Sequence, residues 1–188
     1  MVLILELERD DALIGTMVKG IRPEISSRRA EPSDVPAITA IYNQGIAERI
    51  ATFETQPRAD SDVMAWLGTR FPVVVVEDSH GVIAFASTSL YRSRACYAGI
   101  AEFSVYVHQA HRRLGIGRIA LEALCEAAEA AGLWKLVSRI FVENTPSREL
   151  CRALGFREVG IYHRHGKLDG VWRDVVIVER LLGEAAEG

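Results

Sequence analysis

Arg112-Arg113-Leu114-Gly115-Ile116-Gly117 is the run whose residue types and spacing could do chemistry. It follows a β-branched and aromatic stretch, Val105-Tyr106-Val107, and a polar turn, and it leads into a segment where Leu121, Leu124, Cys125 and Ala128 recur at the helical period. A strand, a glycine-bearing loop and a helix start together form an anion cradle. Glycine lets the backbone approach a ligand closely, and the first N–H groups of a helix have no partner inside it. Arg112, Arg113 and Arg118 add positive charge, and the natural guest is a pyrophosphate. The spacing is neither Gly-x-x-x-x-Gly-Lys-Ser/Thr nor Gly-x-Gly-x-x-Gly, so nucleoside triphosphates and dinucleotides are poor candidates. A plain surface loop with a basic helix start would carry the same residues.

The elements that position this loop can be read along the chain. The 188 residues are 49% hydrophobic and 25% charged with a net charge of −3, which fits one domain with a sizeable core and argues against nucleic acid or an anionic membrane as partner. Cys96, Cys125 and Cys151 show neither paired spacing nor a metal-ligand pattern; no metal is expected, and a reducing cytoplasm is the simplest setting. Residues 1–22 read as an extension, either an edge strand over 2–7 or a disordered piece, with Met17 an alternative start. A strand over 25–30 leads to a helix capped by Ser33, with Val35, Ile38, Ile41, Tyr42 and Ile46 on one stripe. Residues 50–57 read as a loop beside the site or a short extended piece, and Ser61-Asp62 caps a second helix reaching about residue 70. Strands follow over 73–77, 82–90 and 101–107, the first two joined by the turn Asp78-Ser79-His80-Gly81. After the loop and its helix come a strand over 134–141 and a helix capped by Asn144 or Thr145, with Leu150, Ala153 and Leu154 facing inward. Two strands over 156–163 and 171–182 end the domain, spaced by 165–170, and residues 184–188 fray. The order β-α-α-β-β-β-α-β-α-β-β is mixed α/β with an antiparallel meander, not a doubly wound sheet.

Arg112-x-x-Gly115-x-Gly117 resembles the Arg/Gln-x-x-Gly-x-Gly/Ala signature of the GCN5-related N-acetyltransferases, and the element order over about 25–182 is similar to theirs. The resemblance implies a central, mostly antiparallel twisted sheet flanked by helices, and acetyl-CoA as the co-substrate. A narrower likeness to the phosphinothricin and arsinothricin N-acetyltransferases is carried by four segments: Thr52-Phe53-Glu54, residues 92–97, residues 101–107 and residues 167–175. It implies a homodimer that acetylates the α-amino group of a glutamate analogue. Methionine sulfone, methionine sulfoximine, a polyamine or a peptide N-terminus are the other amines in view, and a non-catalytic acetyl-CoA-binding module is the reading from another class.

Within that resemblance each residue gets an expected role. The loop from Arg112 to Arg118, with Leu114 and Ile116 contributing backbone, holds the pyrophosphate. The edge formed by Val105, Tyr106 and Val107 pairs with the pantetheine arm, and the Val107 N–H polarises the thioester carbonyl. Asn144 reaches the CoA arm, caps a helix, or does both. Glu102 stands out as an acid in an apolar strand; partly buried, it suits a general base, and a solvent-facing strand residue is the plainer alternative. Arg92 and Arg94 alternate onto one side of an extended segment and would grip a carboxylate and a phosphinate through forked hydrogen bonds, unless they belong to an ordinary basic turn. Phe53, Tyr97 and Trp172 would wall the pocket, and Lys167 would come from a partner subunit. Cys151 stands where the family has tyrosine or histidine near the sulfur; it is expected to line the site, a weak acid at best, with Tyr106, Tyr162 and His163 as alternatives.

Overall fold

Seven strands form one sheet in the computed structural model, which describes residues 24–187, and the element order is mixed α/β. The strands are β1 (Ser26–Arg29), β2 (Val73–Asp78), β3 (Gly81–Leu90), β4 (Ile100–Val107), β5 (Lys135–Phe141), β6 (Arg157–Leu168) and β7 (Val171–Leu181). They lie in the spatial order β1-β2-β3-β4-β5-β7-β6, and every neighbouring pair is antiparallel except β4 and β5. Helices α1 (Val35–Glu48) and α2 (Asp60–Met64) cover one face; α3 (Ile116–Ala130) and α4 (Thr145–Ala153) cover the other.

Alternation along the strands divides the core in two. Phe85 and Tyr106 point to the α1 side with Ile38, Ile41 and Val63, whereas Ala84, Ala86, Ala101 and Phe103 point to the α3 side with Leu121, Leu124, Cys125 and Ala128. The helical stripe expected of α3 is the buried one. A third cluster, Phe141, Leu168 and Val175 with Phe53 packed on it, sits on the α1 side of the β5–β7 half.

The structure corrects several local expectations. Ser33 caps nothing: Asp34 does, its Oδ2 accepting from the Glu31 N–H at 2.8 Å while Arg28 grips both its oxygens. The second helix ends at Met64, and Gly68 at φ +73° turns the chain away; Asp62 caps it by accepting from the Ala59 N–H. On α4, Cys151 and Leu154 are buried and Ala153 is exposed. The last hairpin is longer than its polar residues suggested, with β6 running to Leu168. The link is only Asp169-Gly170, both at positive φ (48° and 79°), the two-residue turn whose twist matches the strands. Glu184 to Ala186, expected to fray, belong to a 3₁₀ turn over Gly183–Ala186. The expectations for residues 1–22, edge strand and alternative start included, lie outside the described residues. Among the described residues no helix is long and apolar enough to cross a membrane.

Candidate active site

The site is made by a split in the sheet. The parallel pair β4–β5 has only three partners, Ile100↔Lys135, Ala101↔Leu136 and Glu102↔Val137, after which the strands part. The N–H of His108 bonds to the Ile83 carbonyl of β3, so the peptide groups of residues two and four before it also face β3. Those of Val105 and Val107 therefore face the split. The Val107 carbonyl accepts from Arg112 Nε at 3.1 Å, while the Val107 N–H, on the preceding peptide, faces the opening by the same alternation.

The glycine loop ends at the mouth of the split. Gly115, at φ +81°, is the N-cap of α3 with no side-chain cap; the first helical bonds run from the Arg118 and Ile119 N–H groups to its carbonyl. The N–H groups of Gly115, Ile116 and Gly117 stay free for an anion. A Cβ on Gly117 would come within 3.3 Å of Leu150, so the missing side chain lets the helix start pack against α4. The cradle therefore fits a pyrophosphate by backbone. The expected arginine charge is largely spent: Arg112 is paired with Glu48 at 2.9 Å and Arg118 with Glu122 at 2.9 Å. Arg113, itself at φ +63°, has no ion-pair partner among the described residues. Leu114 is two-thirds exposed and Ile116 is buried.

On the α1 side of the split lies a groove of about 320 Å³ between α1–α2 and the strands, floored by Ser87, Ser89, Ser104 and Tyr106 and walled by Tyr42 and Trp66. Glu102 stands at its edge, two residues before Ser104 on the same face and opposite Ser89 across the β3–β4 ladder. Its side chain is 28% exposed and is ion-paired with Arg139 of β5. Arg139 escaped the sequence reading, although an arginine among Leu136, Val137, Ile140 and Phe141 is as odd as Glu102 in its own strand.

None of the remaining expected residues is among those that line this groove. The Arg92 guanidinium stacks 5.3 Å from the Tyr91 ring centroid; Tyr91, then Tyr97 and Tyr162, hold its pKa above the usual value, so all three phenols lie near it. Tyr97 stands edge-on to Tyr91, and Arg94 is exposed. Phe53 packs edge-on to Phe141 at 4.8 Å, where the split is widest, against Gly166, whose Cβ would lie 2.8 Å from the Phe53 ring. Asn144 does cap α4, its Oδ1 accepting from the Ser147 N–H, and its Nδ2 donates to the Ile50 carbonyl, tying the α1–α2 loop across the split. Trp172 lines no wall of the groove: it is half exposed at the hairpin tip under the Lys167 ammonium.

Two expected acids are withdrawn from the surface of the site. Tyr106 is 8% exposed, stacked on Phe85, and burial pushes its phenol far up. Cys151, expected to line the site, is 3% exposed in the α3-side core, and burial pushes its thiol up to about 12. Such a thiol holds its proton too tightly to be an effective donor to a departing thiolate. Cys151→Ala is therefore expected to leave kcat within about twofold while lowering stability by about 1 kcal/mol for the lost apolar volume, measured by initial rates and thermal melting. A tenfold fall in kcat with an unchanged melt would restore Cys151 to the chemistry.

Comparison with known proteins adds the following. Residues 38–156 match the family described as the Acetyltransferase (GNAT) family. The L-methionine sulfoximine/L-methionine sulfone acetyltransferase of Pseudomonas aeruginosa is 35% identical, covering 82% of this chain and 92% of its own. The phosphinothricin N-acetyltransferase of Streptomyces coelicolor is 30% identical, covering 85% and 97%. Among solved structures, a GNAT superfamily phosphinothricin acetyltransferase from Sinorhizobium meliloti, in complex with acetyl-CoA, superposes with a TM-score of 0.81 at 31% identity over 87% of this chain and 91% of that one.

Proposed function

The chain belongs to the GNAT family of acetyltransferases, and from that premise we propose that it moves acetyl from acetyl-CoA to the α-amino group of a small amino acid with a second anionic group, a glutamate analogue such as phosphinothricin or arsinothricin. The observation that carries this reading is the Glu102–Arg139 carboxylate–guanidinium pair at the vertex of the strand split; Arg92, stacked on Tyr91 in the loop after β3, is the second cation the reading uses. A polyamine would call for acids in those places.

In this reading the free N–H groups from Gly115 to Gly117 take the pyrophosphate, and the thioester lies in the split. Its carbonyl oxygen accepts from the Val107 N–H, which stabilises the charge that develops as the amine adds. Glu102 removes the proton from the ammonium, directly or through one water. The amine nitrogen then bonds to the carbonyl carbon and gives up its second proton as the C–S bond breaks; the sulfur leaves with the electron pair and takes up a proton through solvent. No enzyme acid is assigned to the thiolate. Arg92 and Arg94 hold the acceptor's anionic side chain, and Phe53 and Tyr97 border the pocket. The reading includes a cytoplasmic homodimer in which a second copy covers the outer strand β6, where Val159, Ile161 and Tyr162 stand about half exposed along an unpaired edge. Trp172 and Lys167, at the projecting hairpin tip, then approach the partner's groove.

One relative is named for methionine sulfoximine and methionine sulfone and another for phosphinothricin, and methionine sulfoximine is the competing acceptor. The test is release of CoA thiol by the purified protein with phosphinothricin, arsinothricin, methionine sulfoximine, spermidine and a short peptide in parallel. Saturable turnover favouring the two anionic analogues is expected. Turnover confined to spermidine or the peptide would discard the substrate class, and acetyl-CoA binding without turnover of any amine would point to a binding module.

A further inference from the structure

Resting on the acetyltransferase reading above, we infer that Arg139 is the residue that selects acceptors bearing an α-carboxylate, holding that carboxylate so that the neighbouring ammonium faces Glu102. Arg139 occupies β5 one pleat beyond the last β4–β5 pair, on the same face as Glu102 and Phe141. That is the floor of the acceptor side where the strands begin to part. Its side chain is 41% exposed. Of the five N–H donors of a guanidinium, only one on Nη2 is engaged, by Glu102; the others have no partner among the described residues.

A structural duty does not account for this arrangement. An ion pair this open to solvent contributes little to stability, and the strands it bridges are already joined by the three backbone pairs at the vertex. What the arrangement does supply is a planar cation with an unused fork beside a carboxylate. A carboxylate ligand fits that fork through two parallel N–H···O bonds. In an α-amino acid the carboxylate and the ammonium share one carbon. Gripping the first at Arg139 therefore brings the second against the carboxylate that the same guanidinium holds. Arg92, stacked on Tyr91 in the loop after β3, is left for the anion at the far end of the side chain. An amine without the α-carboxylate has no such anchor, and its orientation toward Glu102 is not fixed.

The experiment compares two acceptors that differ by one group, phosphinothricin and 3-aminopropyl(methyl)phosphinate, which is the same molecule without its α-carboxylate. Steady-state constants are measured for the unaltered enzyme, Arg139→Met and Arg139→Lys. The methionine variant is expected to raise the KM for phosphinothricin by roughly 10- to 100-fold, the loss of a charge-assisted bond. Losing the partner of Glu102 affects both acceptors alike, so the reading is the ratio of their kcat/KM values, in which the preference for phosphinothricin should collapse by that factor. The lysine variant, a point charge without the fork, should recover part of that preference. Equal losses with both acceptors would overturn the inference in favour of a structural or Glu102-positioning role, and so would unchanged constants with both. If the unaltered enzyme turns over no α-amino acid, the proposed function falls and this inference with it; turnover by that enzyme without the selective loss removes Arg139's role alone.

Discussion

Glu102→Gln lowers kcat by roughly 10²- to 10⁴-fold, the range for removal of a general base, with the KM for acetyl-CoA unchanged. The substitution keeps the size of the side chain and leaves an amide oxygen to accept from Arg139, so the vertex of the split keeps its geometry while the proton acceptor is lost. The deficit has a direction with pH. Where the acceptor is mostly ammonium, the variant must wait for the rare free amine; as pH rises and more of the acceptor is already neutral, the gap between variant and parent narrows. A rate profile of both proteins, with a thermal melt as control for folding, measures it. Full turnover by the variant at neutral pH would remove Glu102 from the mechanism, and a gap independent of pH would make it a group that orders the site.

Phe85→Ala is expected to cost about 3–5 kcal/mol, the range for a large aromatic removed from a packed core. Phe85 is wholly buried, stacks on Tyr106 at 5.3 Å between ring centroids, and meets Trp66 at 6.2 Å and Tyr42 at 6.3 Å. These four rings form the wedge on which α1 rides over the sheet, and all four border the acceptor groove. The cavity left by the alanine has few ways to close, because Gly45 already lets the Tyr106 ring press onto the α1 backbone; a Cβ there would lie 2.6 Å from that ring. Denaturant unfolding monitored by tryptophan fluorescence reads the loss, and the midpoint of a thermal melt should fall by roughly 10 °C or more. A loss below about 1 kcal/mol would mean that the aromatic wedge does not unfold with the rest of the sheet.

The residues explain why some of this was legible beforehand. The helical period of Leu121, Leu124, Cys125 and Ala128, and the glycine spacing before it, identify α3 and its open N-terminus, because that cradle is built from local backbone. Family likeness singled out Glu102, but its partner lay 37 residues away in another strand, and only the parallel pairing shows that the two meet. The split itself left no mark on the sequence, since β4 and β5 are each ordinary strands and the opening is a matter of where their pairing stops. Arg112 and Arg118 carry charge in the sequence that Glu48 and Glu122 neutralise in the fold, a cancellation visible only in three dimensions for the first of them. Cys151 stands seven residues after Asn144, and only the family resemblance brings that position to the site. Its burial against α3 is a tertiary fact, and its neighbours Leu150 and Leu154 gave only a general hint of it.

The short parallel pairing has a mechanical meaning as well. β3 and β4 share seven partners and β5 and β7 another seven, whereas three hold β4 to β5. The molecule is thus two well-stitched halves joined along a brief seam, and local opening free energies should be lowest there, with amide hydrogen exchange at Val105 and Val107 outpacing that in the flanking ladders. An acyl donor lying along that line laces the halves together, and its affinity is returned as resistance to their parting.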